Sequence, residues 1–497
     1  MNILLIYPPA RITHKADSIP FGLSYVAASL IKGNNHQVNI LDINAHRHDV
    51  QEVIQKITSI KFDIIGIGGI TTTYSYIKWL VLLLKERYPS IPIIVGGYVA
   101  SVSEFLLKKV GVDIVVTGEG EVTMRKIVDA YEREGDIFSI DGIAYKVGNS
   151  IIYNKPENLI RPLDSIPIPA YHLLPMDKYL LNAEDDESYL SDKRVKKFIK
   201  QGKKLFGIMT GRGCFAKCTF CYRHIKGIRQ HSVEYVIEHI KYLQEAYNVG
   251  LFTFHDDLFT LNRKWLNLFC EKLKEGNIDI LFKIGGARVD TIDKEILKQL
   301  KDSGCVSISY GFESGSQKML DIMNKHTTVE INKRAALMTK EAGLGTIPQI
   351  IIGMPGETNE TIQETIEFLT ECDYYDVSTN FATAFPGTKL YEDAKKKGLV
   401  KDEENYIMNL NENCEFRLNF TEESDSVVQY WRYKVNNEVK KRYLKKHRYF
   451  GTMIFFLIQM RNFINYLQSV GIRRSFNKVG RLLFASFRNK IGFRCQR

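Results

Sequence analysis

The chain has 497 residues, 44% hydrophobic and 25% charged, which excludes a disordered or fibrous protein and leaves room for two or three domains with ordinary cores. Eight cysteines, three of them clustered, exclude a secreted disulfide framework and point to a reducing, cytoplasmic setting with one cysteine-ligated site. The net charge of +11 belongs to the C-terminus: residues 440–497 hold 15 Lys and Arg and no Asp or Glu, and the remaining 53 basic residues face 57 acidic ones, so the body is not a nucleic-acid binder by charge.

Residues 1 to about 135 alternate short apolar runs with amphipathic segments. Strands are predicted at Ile3–Tyr7, Val38–Leu41, Ile64–Ile67, Ile91–Val95 and Ile114–Val116. Helices are predicted near 22–32, 50–60, 74–87, 101–109 and 121–134. The opening run is short and lacks a basic flank, so it reads as a strand and not a signal peptide. Continuous Ile/Val strands separated by helices predict a doubly wound parallel sheet, with its ligand crevice at the carboxyl ends of the strands. Those ends carry Tyr7-Pro8-Pro9, Gly68-Gly69, Thr71-Thr72-Thr73, Gly96-Gly97-Tyr98 and Gly118-Glu119-Gly120-Glu121.

Residues 140–155 read as a hairpin turning at Gly148-Asn149, and the proline-containing 156–200 as a linker packed on the surface. From 205 a second alternation begins. Its strands are predicted at Leu205–Met209, Leu251–Phe254, Leu281–Ile284, Val306–Ser309, Ile347–Ile352 and Val377–Phe381. Its helices are predicted at 232–247, with Ser232 as N-cap, and at 262–275, 293–303, 330–342 and 358–370. Six β/α units predict a partial (β/α)6 barrel with its active site over the carboxyl ends of the strands. The expected organisation is 1–140, 141–200, 201–400 and a helical 401–497, basic from 440.

Cys214, Cys218 and Cys221 follow the first barrel strand in a C-x3-C-x2-C loop. Three thiolates this close can hold a metal through three corners. The residues alone leave two readings: a structural zinc closed by His224, or an iron–sulfur cluster with one open iron. No second cysteine pair lies nearby, which favours the cluster. Cys270, Cys305, Cys372, Cys414 and Cys495 are scattered and are assigned no role.

C-x3-C-x-aromatic-C with Phe220 in the aromatic slot resembles the radical S-adenosylmethionine (SAM) superfamily. The resemblance continues through Phe254-His-Asp256-Asp257, Arg288-Val-Asp290, Gly311-Phe-Glu313-Ser314-Gly315, Gly353-Met-Pro355-Gly356-Glu357 and Pro386-Gly387-Thr388, each at a predicted strand end. It implies a [4Fe-4S] cluster on the three cysteines and SAM on its open iron, cleaved to a 5′-deoxyadenosyl radical. It also implies that Glu313 accepts hydrogen bonds from the ribose hydroxyls or the amino group, with Ser314 as a further SAM-binding residue. Phe220 and the Gly353 segment would flank the adenine. Asp256 and Asp257 contact cofactor or substrate or cap the next helix, and Arg288 pairs with a cofactor carboxylate or a core acid.

The N-terminal domain resembles the cobalamin-binding domain that precedes this barrel in one branch of the superfamily. Tyr7, Pro8, Pro9, Thr71, Thr72, Thr73, Gly96, Gly97, Tyr98, Gly118, Glu119 and Gly120 are the implied corrin-binding residues, with Pro20–Ala27 as a further matching segment. Glycine lets a flat ring approach the backbone. No G-x-G-x-x-G follows the first strand, which argues against a dinucleotide site. The D-x-H-x-x-G pattern of many cobalamin domains is absent, and Asp42-Ile-Asn-Ala-His46 does not fit its spacing.

In the tail, 425–448 reads as a basic helix, and Tyr449–Met460 as an apolar stretch too short to span a bilayer. Residues 473–491 place Phe476, Val479, Leu483, Phe487 and Ile491 opposite Lys478, Arg481 and Arg488, a pattern that suits either a membrane interface or packing on the barrel. Together the resemblances imply a cobalamin-dependent radical SAM methyltransferase acting on an unactivated carbon, with a flavodoxin- or ferredoxin-like electron donor. A small-molecule or lipid-like substrate and an anionic membrane surface at 440–497 are the further expected partners. The alternatives are oxidation, cyclisation or C–C bond formation with the same cofactors, and a zinc-clasped lipid- or RNA-binding protein.

Overall fold

The protein is described by a computed structural model covering residues 1–10, 19–32, 36–223, 227–410 and 415–447. His224, Cys414, Cys495, the Tyr449–Met460 stretch and the 473–491 helix lie outside the described residues.

Seven strands form the first sheet: β1 (Asn2–Tyr7), β2 (Gln37–Asp42), β3 (Ile64–Gly68), β4 (Ile93–Gly96), β5 (Ile114–Val116), β6 (Ile143–Val147) and β7 (Ser150–Tyr153). Their order is β2-β1-β3-β4-β5-β6-β7, parallel from β2 to β5. The predicted hairpin β6–β7 adds antiparallel to β5 and completes the sheet. On one face Leu23, Ala27 and Leu30 of helix Phe21–Ile31 pack with Met124, Ile127 and Val128 of helix Gly120–Glu132. On the other, Val53, Ile57, Ile77, Leu80 and Leu84 cover β1, β3 and β4. Apolar side chains at helical spacing on both sides explain why the strands are continuously buried.

The helix predicted at 101–109 is not regular. It is a 3-10 turn over Tyr98–Val102, one α turn at Ser103–Phe105 and a π turn over Leu106–Val110, closed by left-handed Gly111. Ser103 donates its hydroxyl to Ala100 O, a local bond that competes with the helical ladder.

The segment 156–200 is not a surface linker. Tyr171 and Tyr189 are fully buried, and Leu181 bridges Leu205 at the start of the second sheet.

That second sheet contains β8 (Lys204–Ile208), then, after a two-stranded ribbon of β9 (Gly211–Arg212) and β10 (Arg229–Gln230), β11 (Val249–Phe254), β12 (Leu281–Ala287), β13 (Cys305–Glu313), β14 (Pro348–Ile352) and β15 (Ser378–Phe381). All six sheet strands are parallel in the order β15-β14-β13-β12-β11-β8, the predicted partial barrel. Helix Val233–Tyr247 begins at Ser232, whose hydroxyl accepts from Tyr235 N. Helix Asp425–Lys446 buries Val428, Trp431, Val435 and Val439, one stripe at three- and four-residue spacing, against the β14–β15 edge.

Candidate functional site

The β9–β10 ribbon, antiparallel with Arg212 opposite Arg229, closes the base of the cysteine loop. Gly213, at φ 89°, makes the turn into Cys214, where a side chain would be strained. Asn324 donates to Lys217 O at 2.7 Å, Thr219 N to Met323 O at 3.0 Å, and Leu390 N to Thr219 O at 2.9 Å, so the loop is tied down on two sides. Cys214, Cys218 and Cys221 are free thiols, Cys221 the most exposed. Burial raises the half-buried Cys218 thiol against the fields of Lys325 and Arg288, and desolvation by the surrounding loop, with the neighbouring thiols and Asp257, pushes Cys221 up to about 11. A metal must therefore displace protons on binding. Three unbridged thiols facing two cations suit an anionic iron–sulfur cluster.

Glu313 ends β13 in the left-handed region at φ 64°, which turns its carboxylate back over Gly311. There it meets the Lys325 ammonium at 2.7 Å. Burial opposes the charge on Lys325, and Glu313 restores it. Ser314 points away from the opening: it is buried, with Oγ 3.1 Å from Thr365 Oγ1 and accepting from Ser316 N. Phe220 is partly buried against the apolar cluster that contains Met319, Met323, Met354 and Leu390. Gly353, at φ 89°, donates its N–H to Glu357, whose carboxyl burial pushes up to about 8. Arg288, itself buried, forks onto the exposed Asp290 at 2.9 and 3.0 Å rather than onto a core acid, with Phe215 across its face. Asp256 is buried and accepts from Thr210 N at 2.9 Å; burial lifts it to about 7. Asp257, next to it just past the end of β11, is exposed.

The carboxyl end of the first sheet faces this mouth. Tyr98, after β4, meets Tyr222, beside Cys221, edge-on at 5.7 Å. Phe21 meets His255, after β11, at 5.7 Å. Gly97, at φ 88°, passes so close to Gly69 O that a Cβ would stand 2.6 Å from it. Nothing lies within 4 Å of where a Cβ on Gly118 would stand. Thr71 bonds across to the loop after β4, to Ser101 at 3.1 Å, Thr73 bonds within the turn to Ile70 O at 2.7 Å, and Thr72 stays half-buried. Tyr7 and Pro9 are half-buried at the end of β1, with Pro8 buried between them. A face of small residues and backbone suits a flat corrin ring.

Glu119 differs from its neighbours. Its Oε1 accepts from Arg212 at 2.7 Å and Arg229 at 3.0 Å, and its Oε2 from Arg229 at 2.7 Å and Ile160 N at 3.1 Å. Burial opposes its charge, but Arg229, Arg212 and the Ile160 N–H outweigh it and hold the carboxyl below its ordinary range. Four donors fill its acceptor capacity. Glu121 takes the other arm of Arg212. Sequence reasoning missed Arg212, Arg229, Lys325 and Tyr222. The signal available was the absence of acids from the whole cysteine loop, which obliges any buried arginine there to find a distant carboxylate.

Comparison with known proteins agrees with both halves. The profile of the radical SAM superfamily matches residues 208–369, and that of the B12 binding domain matches residues 9–128. The chain is 32% identical to the uncharacterized methyltransferase PH0819 of Pyrococcus horikoshii over 80% of this chain and 84% of that one. It is 28% identical to the anaerobic magnesium-protoporphyrin IX monomethyl ester cyclase of Rubrivivax gelatinosus, over 78% of this chain and 68% of that one. The structure of the radical SAM methyltransferase TsrM from Kitasatospora setae, with cobalamin and a [4Fe-4S] cluster bound, superposes with a TM-score of 0.63. That match has 19% identity and covers 80% of this chain and 75% of TsrM. The chain belongs to the radical SAM superfamily, in the branch with an N-terminal cobalamin-binding domain. Its cofactors are accordingly a [4Fe-4S] cluster, SAM and cobalamin. Among the described residues no helix is long and apolar enough to cross a membrane.

Proposed function

We propose that this enzyme transfers a methyl group from SAM, by way of cobalamin, to an unactivated carbon of a small-molecule or lipid substrate. The observation that carries the reading is the meeting of strand-end loops from two sheets: Tyr98 with Tyr222, and Phe21 with His255, bring the loops of the corrin face against those of the cysteine side. The 32% identity to a methyltransferase supports it. When bound, the cluster supplies the electron that cleaves SAM and cobalamin supplies the methyl group.

The chain's own residues bind and orient. Cys214, Cys218 and Cys221 hold the cluster, with Lys325 and Arg288 balancing its charge. Glu313, held by Lys325, accepts from the ribose hydroxyls or the amino group of SAM, with Ser314 fixing its turn. Phe220 and the Gly353 segment flank the adenine. Tyr7, Pro8, Pro9, Thr71–Thr73, Gly96, Gly97, Tyr98, Gly118 and Gly120 form the corrin face, and Tyr98 and Tyr222 exclude water from the passage between the cofactors. An acidic flavodoxin or ferredoxin reduces the cluster.

The acid-free tail from 440 onward binds anionic membrane, worth about 1 kcal/mol per basic residue near the surface. Removing residues 448–497 is expected to abolish sedimentation with phosphatidylserine-containing vesicles, and sedimentation that survives the truncation would refute this part.

The test of the reaction is anaerobic reconstitution with iron, sulfide and hydroxocobalamin, followed by reduction and addition of SAM. S-adenosylhomocysteine and 5′-deoxyadenosine should both form, and Cys218→Ala should lose the deoxyadenosine. Deoxyadenosine without S-adenosylhomocysteine would mean oxidation or cyclisation and would remove methyl transfer.

A further inference from the structure

Arg212 is separated from Cys214 by one residue and is clamped by two carboxylates that follow β5 of the first sheet. We infer that Glu119, Glu121 and Arg212 are positioning residues that hold the cysteine loop in register with the corrin face, so that SAM cleavage stays coupled to methyl transfer; this rests on the methyl-transfer reading above.

The geometry is specific. Arg212 and Arg229 stand opposite each other in the β9–β10 ribbon, the base of the cysteine loop. Both reach Glu119, which follows β5, and Arg212 also reaches Glu121 at the start of helix Gly120–Glu132. The Tyr25 ring lies 5.0 Å from the Arg212 guanidinium. The side chains of Glu119, Glu121 and Arg229 are 3%, 4% and 3% exposed, and that of Arg212 is 12% exposed.

Desolvating four charges is costly, and well-packed apolar residues stabilise such a junction at least as well. What a planar guanidinium forked between two carboxylates adds is direction. The clamp fixes the loop's height and rotation relative to β5, and Gly213 passes that placement directly to Cys214. Glu119 has no acceptor left for the corrin.

The test compares wild type with Glu119→Gln and Arg212→Lys as reconstituted full-length enzymes. Three quantities are measured: affinity for hydroxocobalamin, the electron paramagnetic resonance signal of the reduced cluster, and the yield of S-adenosylhomocysteine per deoxyadenosine. Glu119→Gln is expected to bind cobalamin as wild type does and to keep its cluster signal, while the yield ratio falls about tenfold or more, the scale of loss from a misplaced reacting group. Arg212→Lys keeps the charge but loses the fork. It should show the same fall, which keeps the inference testable if Glu119→Gln does not fold. The double variant should be no worse than the worse single one.

A loss of cobalamin affinity with an unchanged ratio would make Glu119 a corrin ligand and overturn the inference, as would additive effects in the double variant. A wild-type enzyme that yields no S-adenosylhomocysteine would instead sink the methyl-transfer reading, before any variant is compared.

Discussion

The Lys325 ammonium sits 2.7 Å from the Glu313 carboxylate, and its field also reaches the Cys218 sulfur. One lysine thus links the carboxylate assigned to SAM with the loop assigned to the cluster. Glu313→Gln removes the charge that both Lys325 and a SAM hydroxyl or ammonium would use. Hydrogen bonds to charged groups contribute about 1.5–3 kcal/mol, so SAM binding should weaken roughly 10- to 100-fold in equilibrium titration. An unchanged dissociation constant would remove Glu313 from the SAM site.

Asp256 gives a pH signature. Burial raises its carboxyl from 3.8 to about 7 in the fold. Between those values the native state keeps a proton that the unfolded chain has lost, so stability falls as pH rises and levels off above about 7. Asp256→Asn keeps an acceptor for Thr210 N and removes the titration. The variant should gain a few kcal/mol over wild type at pH 8 and lose that advantage near pH 4, read as apoprotein melting temperature against pH. An advantage independent of pH would contradict the assignment.

Gly97 occupies the left-handed region, with the space for a Cβ blocked at 2.6 Å by Gly69 O. Gly97→Ala should cost on the order of 2 kcal/mol in stability. Because Gly97 is among the residues proposed to form the corrin face, absorbance titration should also show weaker cobalamin binding.

Trp431 anchors the C-terminal helix, fully buried and donating from Nε1 to Asn359 Oδ1 at 2.8 Å. Trp431→Ala should destabilise the protein by about 3–5 kcal/mol in denaturant unfolding. The same helix seats Val428 3.1 Å from where a Cβ on Gly353 would stand, so SAM binding should weaken with it.

Much of this was legible in the sequence because its signals are local. Ile/Val runs such as Ile64–Ile67 mark buried parallel strands, and thiols packed as tightly as Cys214, Cys218 and Cys221 mark a metal loop. What was not legible depends on distant partners. The β9–β10 ribbon is two residues long on each side and has no periodicity to read. Glu119 lies in a glycine-rich strand end and reads as part of the corrin face, yet its partners stand 93 and 110 residues away. The segment 156–200 reads as a linker because its short turns carry no repeating pattern, although Tyr171 and Tyr189 fill cores on either side of the barrel strands.

The central claim is that the corrin face and the cysteine loop open on one cleft. The most direct measurement is pulsed electron paramagnetic resonance on enzyme holding cob(II)alamin and the reduced cluster together. Shared occupancy of the cleft predicts magnetic coupling between the two spins, seen as faster relaxation of the cobalt signal that disappears in Cys218→Ala. Two signals that relax independently in the doubly loaded enzyme would contradict the account.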